Sequence, residues 1–134
     1  VGKGGAYKRV DCSADGRRVV GGAMGQTVPV WDGRTGKPLF ELPAHRGGTA
    51  AVAFAADGGR LATGGHDGML RVWDGDTGAL RWEVKADGGG VRTASFSPDG
   101  TRLATGGPDR VVRVWDAGTG EKVLELSGHT GVVQ

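Results

Sequence analysis

Residues 96–116 read FSPDGTRLATGGPDRVVRVWD, and this stretch decides the fold. It contains an Asp-Gly turn, a short apolar segment that ends in Thr-Gly-Gly, a second polar turn, and the alternating run Val-Arg-Val-Trp-Asp. Short apolar segments that alternate with polar residues between Gly and Asp turns are typical of antiparallel strands. No sustained apolar period of 3.6 residues appears anywhere in the chain, so we expect no helix.

The same pattern recurs along the whole chain at a fixed step. The Trp-Asp pair occurs at residues 31–32, 73–74 and 115–116, so the step is 42 residues both times. Residues 45–86 and 87–128 are identical at 19 of 42 positions without a gap. A constant period of this length indicates a repeat architecture. We interpret residues 1–134 as one segment with units at about 3–44, 45–86 and 87–128, and with the start of a fourth unit at 129–134.

A unit of this size predicts stacking between units. Four short strands cannot bury enough apolar area to fold alone, so each sheet must pack face to face with its neighbours. For twisted four-stranded sheets the radial solution is a β-propeller, which closes with about four to eight blades. Three blades leave two apolar faces uncovered. We therefore expect an all-β, incomplete ring, which is completed by further blades of a longer chain or, alternatively, by copies of itself.

Composition and charge exclude several classes of function. The net charge is +2 with Lys and Arg scattered along the chain, so no basic stripe for nucleic acid is expected. The single cysteine, Cys12, cannot form an internal disulfide. The chain contains no apolar run long enough to span a membrane and no basic-then-apolar leader. We expect a cytoplasmic protein with no membrane contact.

The repeat resembles the WD-repeat (tryptophan–aspartate) family along essentially all of the chain. The third unit resembles it most closely, through residues 96–100 (Phe-Ser-Pro-Asp-Gly), 103–107 (Leu-Ala-Thr-Gly-Gly), 112–116 (Val-Arg-Val-Trp-Asp) and 128–129 (Gly-His). The resemblance implies β-propeller blades and a non-catalytic scaffold that binds protein or peptide partners.

The resemblance also implies a structural hydrogen-bond chain inside each blade. It runs from a Trp on the third strand, through a Thr or Ser on the second, to a His before the first strand, which an Asp in the second turn anchors. The chemistry is reasonable in itself, because a buried indole N–H and both nitrogens of a buried His need partners. In the second unit these positions hold His45, Thr63, Asp67 and Trp73.

The other units depart from this pattern. The third unit keeps Thr105, Asp109 and Trp115, but Asp87 stands where the His belongs, and we expect it to repel Asp109. His129 stands at the His position of the following unit.

In the first unit only Trp31 remains, with Lys3, Gly21 and Gly25 at the other positions. Pro29 falls inside its third strand, where it removes a ladder hydrogen bond. We expect this blade to be the least stable of the three.

A catalytic interpretation of His45, Asp67 and Thr63 as a triad is less favourable than a structural one. Thr is a poor nucleophile without an N-terminal amine, and the three residues lie inside a repeat. The three His, at positions 45, 66 and 129, are not at metal-ligand spacing, and Asp74-Gly75-Asp76 lacks the remainder of a calcium loop. We expect no enzyme activity, no metal and no cofactor.

The resemblance places partner contacts on the narrower face of the disc. Most of these positions hold small residues in this sequence. Those with side chains large enough to contact a partner are Lys8, Met24, His66 and Arg92. Trp82 is additional to the repeat motif, and we expect it to cover the outer edge of its blade.

Two alternative functions remain open. One is a propeller segment that frames a small-molecule or sugar site near the central channel, although the apolar residues 50–53 (Ala-Ala-Val-Ala) of an innermost strand argue against it. The other is a regulatory repeat region of a larger multidomain signalling protein.

Overall fold

The computed structural model describes residues 7–13, 16–23, 27–43, 45, 48–56, 58–86 and 90–126, with the backbone alone for residues 7–9, 22 and 23. This part of the chain is all-β and forms three four-stranded antiparallel sheets, in each of which the strands are neighbours in chain order. The first sheet contains β1 (Tyr7–Cys12), β2 (Arg18–Ala23), β3 (Thr27–Asp32) and β4 (Pro38–Pro43). The second contains β5 (Thr49–Phe54), β6 (Arg60–Gly65), β7 (Met69–Asp74) and β8 (Leu80–Lys85). The third contains β9 (Thr93–Phe96), β10 (Arg102–Gly106), β11 (Val112–Asp116) and β12 (Lys122–Leu126).

In each sheet the aspartate of the Trp-Asp pair stabilises the turn between the third and fourth strands. Asp74 Oδ1 accepts hydrogen bonds from the amides of Asp76 at 2.8 Å and Thr77 at 3.0 Å. Gly78 follows with a φ of 79°, which suits glycine. Asp32 and Asp116 make the same bonds in their sheets. These bonds hold the pKa of the three carboxyls below the usual value.

Pro29 shortens one ladder in the first sheet. The pairing of β2 with β3 ends at Val20 and Val30, whereas β6 and β7 stay paired as far as Gly64 and Leu70. Proline has no amide hydrogen to donate, so the ladder stops short of it. Pro29 still pairs in register with a residue of β4 on its other side.

The three sheets, which we call blades one, two and three, stack face to face through two apolar cores. The trailing face of a blade points toward the next blade in the chain, and the leading face points toward the preceding one. The core between blades one and two joins trailing residues Val20, Val28, Val30, Phe40 and Leu42 to leading residues Val52, Phe54, Leu61 and Trp73. The core between blades two and three includes trailing residues Leu70, Val72, Trp82 and Val84 and leading residues Val91, Phe96, Leu103 and Trp115.

An aromatic side chain on the outer strand crosses to the glycine turn of the next blade. Phe40 of β4 covers Gly78 so closely that a Cβ added to this glycine would lie 2.9 Å from the ring. Trp82 of β8 covers Gly120 in the same way, at 2.7 Å, and its Nε1–H donates to the carbonyl of Ala117 at 2.9 Å. Trp82 therefore joins two blades, and the expectation that it covers the edge of one is wrong.

The two terminal faces lack this cover. Leu124 and Leu126 of blade three are 43% and 51% exposed, whereas Leu42, the counterpart of Leu126 in blade one, is 2% exposed. On the leading face of blade one, Val10 is 65% exposed, and a Cβ on Gly36 would contact nothing within 4 Å. The ring is thus open at both faces.

Candidate functional site

The structure brings His45, Thr63, Asp67 and Trp73 of blade two together in one chain of hydrogen bonds. Trp73 Nε1–H donates to Thr63 Oγ1 at 2.9 Å, and Thr63 Oγ1 lies 2.8 Å from His45 Nε2. His45 Nδ1 lies 3.1 Å from Asp67 Oδ1, which also accepts the amide of Met69 at 3.0 Å. Because Asp67 needs a donor, His45 carries its proton on Nδ1 and accepts the Thr63 hydroxyl at Nε2.

Burial controls the ionisation of His45. The residue is 2% exposed, and this burial lowers its pKa from the usual 6.5, against the opposing effect of the Asp67 carboxylate. The neutral ring fits the hydrogen bonds, since a doubly protonated ring could not accept the Thr63 hydroxyl.

We expect the free energy of unfolding to decrease as the pH falls below about 6.5. Because the pKa of His45 is lower in the folded state, unfolding takes up a proton in this range. The slope approaches about 1.4 kcal/mol per pH unit, until the pH reaches the pKa of the folded state. Urea titrations between pH 7.5 and 5 measure it. The variant His45→Gln is the control and should lose this slope, because the shifted aspartates titrate below 3.8. A wild-type slope equal to that of the variant would contradict the assignment.

Blade three closes the same network differently. Trp115 Nε1–H donates to Thr105 Oγ1 at 2.9 Å, as in blade two. Asp109 Oδ2 accepts Arg113 Nη2 at 2.7 Å, and its Oδ1 accepts the amide of Val111 at 3.2 Å. Burial raises the pKa of Asp109, but the bonds and charge of Arg113 and the Val111 amide lower it overall. Asp87, which we expected to repel Asp109, lies outside the described residues.

Arg113 is a site residue that sequence reasoning missed. Its counterpart in blade two, Arg71, pairs with Glu83 at 2.8 Å, because Asp67 is already bound to His45. In blade three the arginine turns to Asp109 instead. The signal was present in the sequence, since the repeat loses its His while keeping an Arg four residues after the Asp.

Blade one does not contain this network at the described positions. Gly21 stands where the other two blades have Thr, so the position offers Trp31 no hydroxyl. Trp31 lies half-buried on the leading face. Lys3, Gly25 and His129 lie outside the described residues.

The geometry of the His45 network favours a structural role. Both ring nitrogens are bonded within the blade, and the ring is buried, so neither nitrogen can reach a substrate. Within the described residues, no group of three or more His, Cys, Asp or Glu side chains could hold a metal ion. The Asp74 turn binds its own backbone amides instead.

Two of the four predicted partner contacts have described side chains, and both are exposed. His66 lies in the turn between β6 and β7, and Arg92 directly precedes β9. The segment between the blades brings them near each other, because Val91 N–H donates to Gly65 O at 2.9 Å and a Cβ on Gly90 would lie 3.6 Å from His66 Cα. Met24 lies outside the described residues, and only the backbone of Lys8 is described.

A cavity of about 360 Å³ lies where the innermost strands of the three blades meet. It is lined by residues 10–11, 51–54 and 92–96. Besides the apolar residues 51–53, which argue against a ligand site, the lining includes the polar residues Asp11, Arg92, Thr93 and Ser95. Asp11 Oδ2 accepts the amide of Phe54 at 2.8 Å and so bridges blades one and two.

Comparisons with known proteins agree with this architecture. The family "WD domain, G-beta repeat" (WD40) matches residues 36–74 and 79–116, and each match runs from the outer strand of one blade to the Trp-Asp pair of the next. The chain belongs to this family, whose members generally serve as non-catalytic protein-interaction scaffolds. No curated protein sequence matches the chain.

Two solved structures show the same fold. A structure of U3-55K and a crystal structure of the RRP9 WD40 repeats each superpose with a TM-score of 0.92 at 20% sequence identity. Each alignment covers 98% of this chain and 42% of the relative, so the chain spans less than half of either protein. Within the described residues, no helix is long and apolar enough to cross a membrane.

Proposed function

We propose that this chain is a non-catalytic propeller segment that binds acidic segments of partner proteins. The binding surface is the basic face, which we define as His66, Lys85, Arg92 and Arg110. All four side chains are exposed. His66 and Arg110 lie in the second turns of blades two and three, Lys85 ends β8, and Arg92 directly precedes β9. All four positions are therefore at the same end of the stacked sheets.

The charge balance at this end carries the proposal. Among the described residues of blades two and three, the carboxylates at or near this end are all paired within their own blades: Asp67 with His45, Asp109 with Arg113, Glu83 with Arg71 and Glu125 with Lys122. The exposed Lys and Arg side chains therefore remain available to a partner. Exposed arginines bind carboxylates through paired, charge-assisted hydrogen bonds.

Backbone strain at Arg110 supports the inclusion of this residue in the basic face. Arg110 has a φ of 66°, where the equivalent residue of blade two, Gly68, has 79°. A left-handed backbone costs a non-glycine residue about 1 kcal/mol, and such strain collects at functional positions. Arg110 thus adds an exposed cation at a position that favours glycine.

A peptide-display selection on the immobilised chain tests the proposal. We expect the enriched peptides to be acidic and the double variant Arg92→Ala/Arg110→Ala to bind them about thirtyfold more weakly, because each of the two lost charge-assisted bonds contributes about 1 kcal/mol. The matched control is Arg34→Ala, which removes an exposed arginine at the opposite end of the sheets and should bind within about twofold of wild type. Enrichment of neutral peptides, no enrichment, or equal binding by the double variant would refute the proposal.

The channel cavity is a weaker candidate for the binding site. Its carboxylate, Asp11, is bonded to the Phe54 amide, which leaves it less able to fix a small ligand. Arg92 belongs to both surfaces, because it lines the cavity and lies on the basic face. A peptide on the basic face would therefore reach the mouth of the cavity.

A further inference from the structure

The repeat places an arginine beside the apolar core at each joint between blades. At the joint between blades one and two, Arg18 Nη2 of β2 pairs with Asp76 Oδ1 at 3.1 Å. At the joint between blades two and three, the equivalent Arg60 faces Gly118, where an added Cβ would lie 3.8 Å from Arg60 Nη2. The arginine at the start of the second strand thus reaches the Trp-Asp turn of the next blade.

On the trailing face of blade three the equivalent arginine is Arg102. This residue turns back to its own blade and lies 3.7 Å from Asp116 Oδ2, with 48% of its side chain exposed. Its apolar neighbours on the face are Val112, Val114, Leu124 and Leu126, which occupy the register of the residues buried in the first core. The face therefore has the composition of a blade joint without the following blade.

Among the described blades of a second copy, blade one is the one whose leading face is not covered by a preceding blade. That face has Val10, Val19 and Trp31 in the register of Val52, Leu61 and Trp73, and Gly36 would lie beneath Leu124. At the register of Asp76, however, it carries Arg34. It also has Cys12 where the other two blades have Phe54 and Phe96, so it fills less of the core.

We propose that the trailing face of blade three takes a WD-type blade with an acidic or uncharged residue at the register of Asp76, as at the two joints of this chain, and that it rejects a second copy of this chain, which has Arg34 there. In a head-to-tail pair of copies, Arg102 would face Arg34 at the position where Arg18 and Asp76 lie 3.1 Å apart. Two guanidinium groups repel at this distance, whereas a carboxylate would attract Arg102. The charge of one turn residue thus selects the neighbour on this face. This inference does not depend on the basic face, which lies at the other end of the sheets.

A charge-reversal cycle on the full chain tests this proposal by sedimentation equilibrium at low ionic strength. We expect Arg34→Asp and Arg102→Asp each to raise the association constant about tenfold over wild type, since each exchanges a repulsive exposed pair for an attractive one. The double variant restores like charges and should return to the wild-type value. Added salt should remove the gain of the single variants.

Lys37→Asp is the matched control, because it makes the same charge change in the same turn but away from the register of Asp76. It should associate like the wild type. The proposal would be overturned by wild-type association as strong as that of Arg34→Asp, by a gain in Lys37→Asp, or by a double variant that keeps the gain. Two independent single variants keep the test decisive if one of them folds poorly.

Discussion

Thr63→Val should lower the free energy of unfolding by about 2–4 kcal/mol, although the two side chains have nearly the same shape. The Thr63 hydroxyl accepts the indole N–H of Trp73 and donates to His45, and all three side chains are buried. Valine would leave one donor and one acceptor unpaired, and each such group costs about 1–3 kcal/mol. Urea unfolding at pH 7.5 followed by tryptophan fluorescence measures the change.

The repeat supplies a matched control for this prediction in Thr105→Val. The Thr105 hydroxyl accepts a hydrogen bond from the indole N–H of Trp115, and the His position of that blade holds Asp87. We expect a loss of about 1–2 kcal/mol, roughly half of the loss at Thr63. Thr63→Ser keeps the hydroxyl and should stay closer to the wild type than Thr63→Val. Equal losses for the two valine variants would show that the His45 bond contributes no stability.

Trp82→Ala should lower the free energy of unfolding by about 2–3 kcal/mol, because it removes the aromatic ring that packs blade two onto Gly120 of blade three. Truncation of a fully buried Trp costs about 3–5 kcal/mol, and Trp82 is half-buried, so we expect a smaller value. The same urea titration measures the loss.

Trp82→Phe separates packing from hydrogen bonding at this joint. Phenylalanine keeps a ring at the position, as Phe40 does in blade one, but it cannot donate to the Ala117 carbonyl. We expect a loss of about 1 kcal/mol. If the alanine variant were as stable as the phenylalanine variant, the ring would not contribute to the joint, and the stacking of these two blades would need another explanation.

Much of the fold could be predicted from spacing alone. The recurrence of Trp31, Trp73 and Trp115 at one step defines three units, and their alternating residues and Asp-Gly turns define four strands in each. This succeeds because each blade is built from contacts that are local in sequence, so the period of the chain is the period of the structure.

The joints between blades could not be predicted in the same way. Within its own unit Trp82 has the pattern of an edge residue, because its partner, Ala117, lies 35 residues further along the chain. Arg113 has the pattern of an exposed strand residue, because the repeat motif gives Asp109 only a His partner. The Trp82 bond depends on which face of the sheet meets the next blade, and the Arg113 bond depends on the absence of the histidine. The sequence of a single unit reveals neither condition.

The candidate binding face was only partly accessible to sequence reasoning. The resemblance suggests His66 and Arg92 as partner contacts, whereas Arg110 and Lys85 join the proposed basic face on structural grounds alone, because one lies at a glycine position of the repeat and the other at a strand end. Their importance depends on Asp67 and Asp109 being bonded inside the blades, which the structure adds.

The stacking of blades through aromatic rings on glycine turns can be measured most directly by nuclear magnetic resonance. The α-protons of Gly78 and Gly120 that point toward Phe40 and Trp82 should show nuclear Overhauser contacts to those rings and upfield ring-current shifts. Gly36 is the internal control, because a Cβ added to it would have nothing within 4 Å, and its α-protons should resonate near ordinary values. Ordinary shifts at all three glycines, without ring contacts, would show that the sheets do not stack, and would contradict the account.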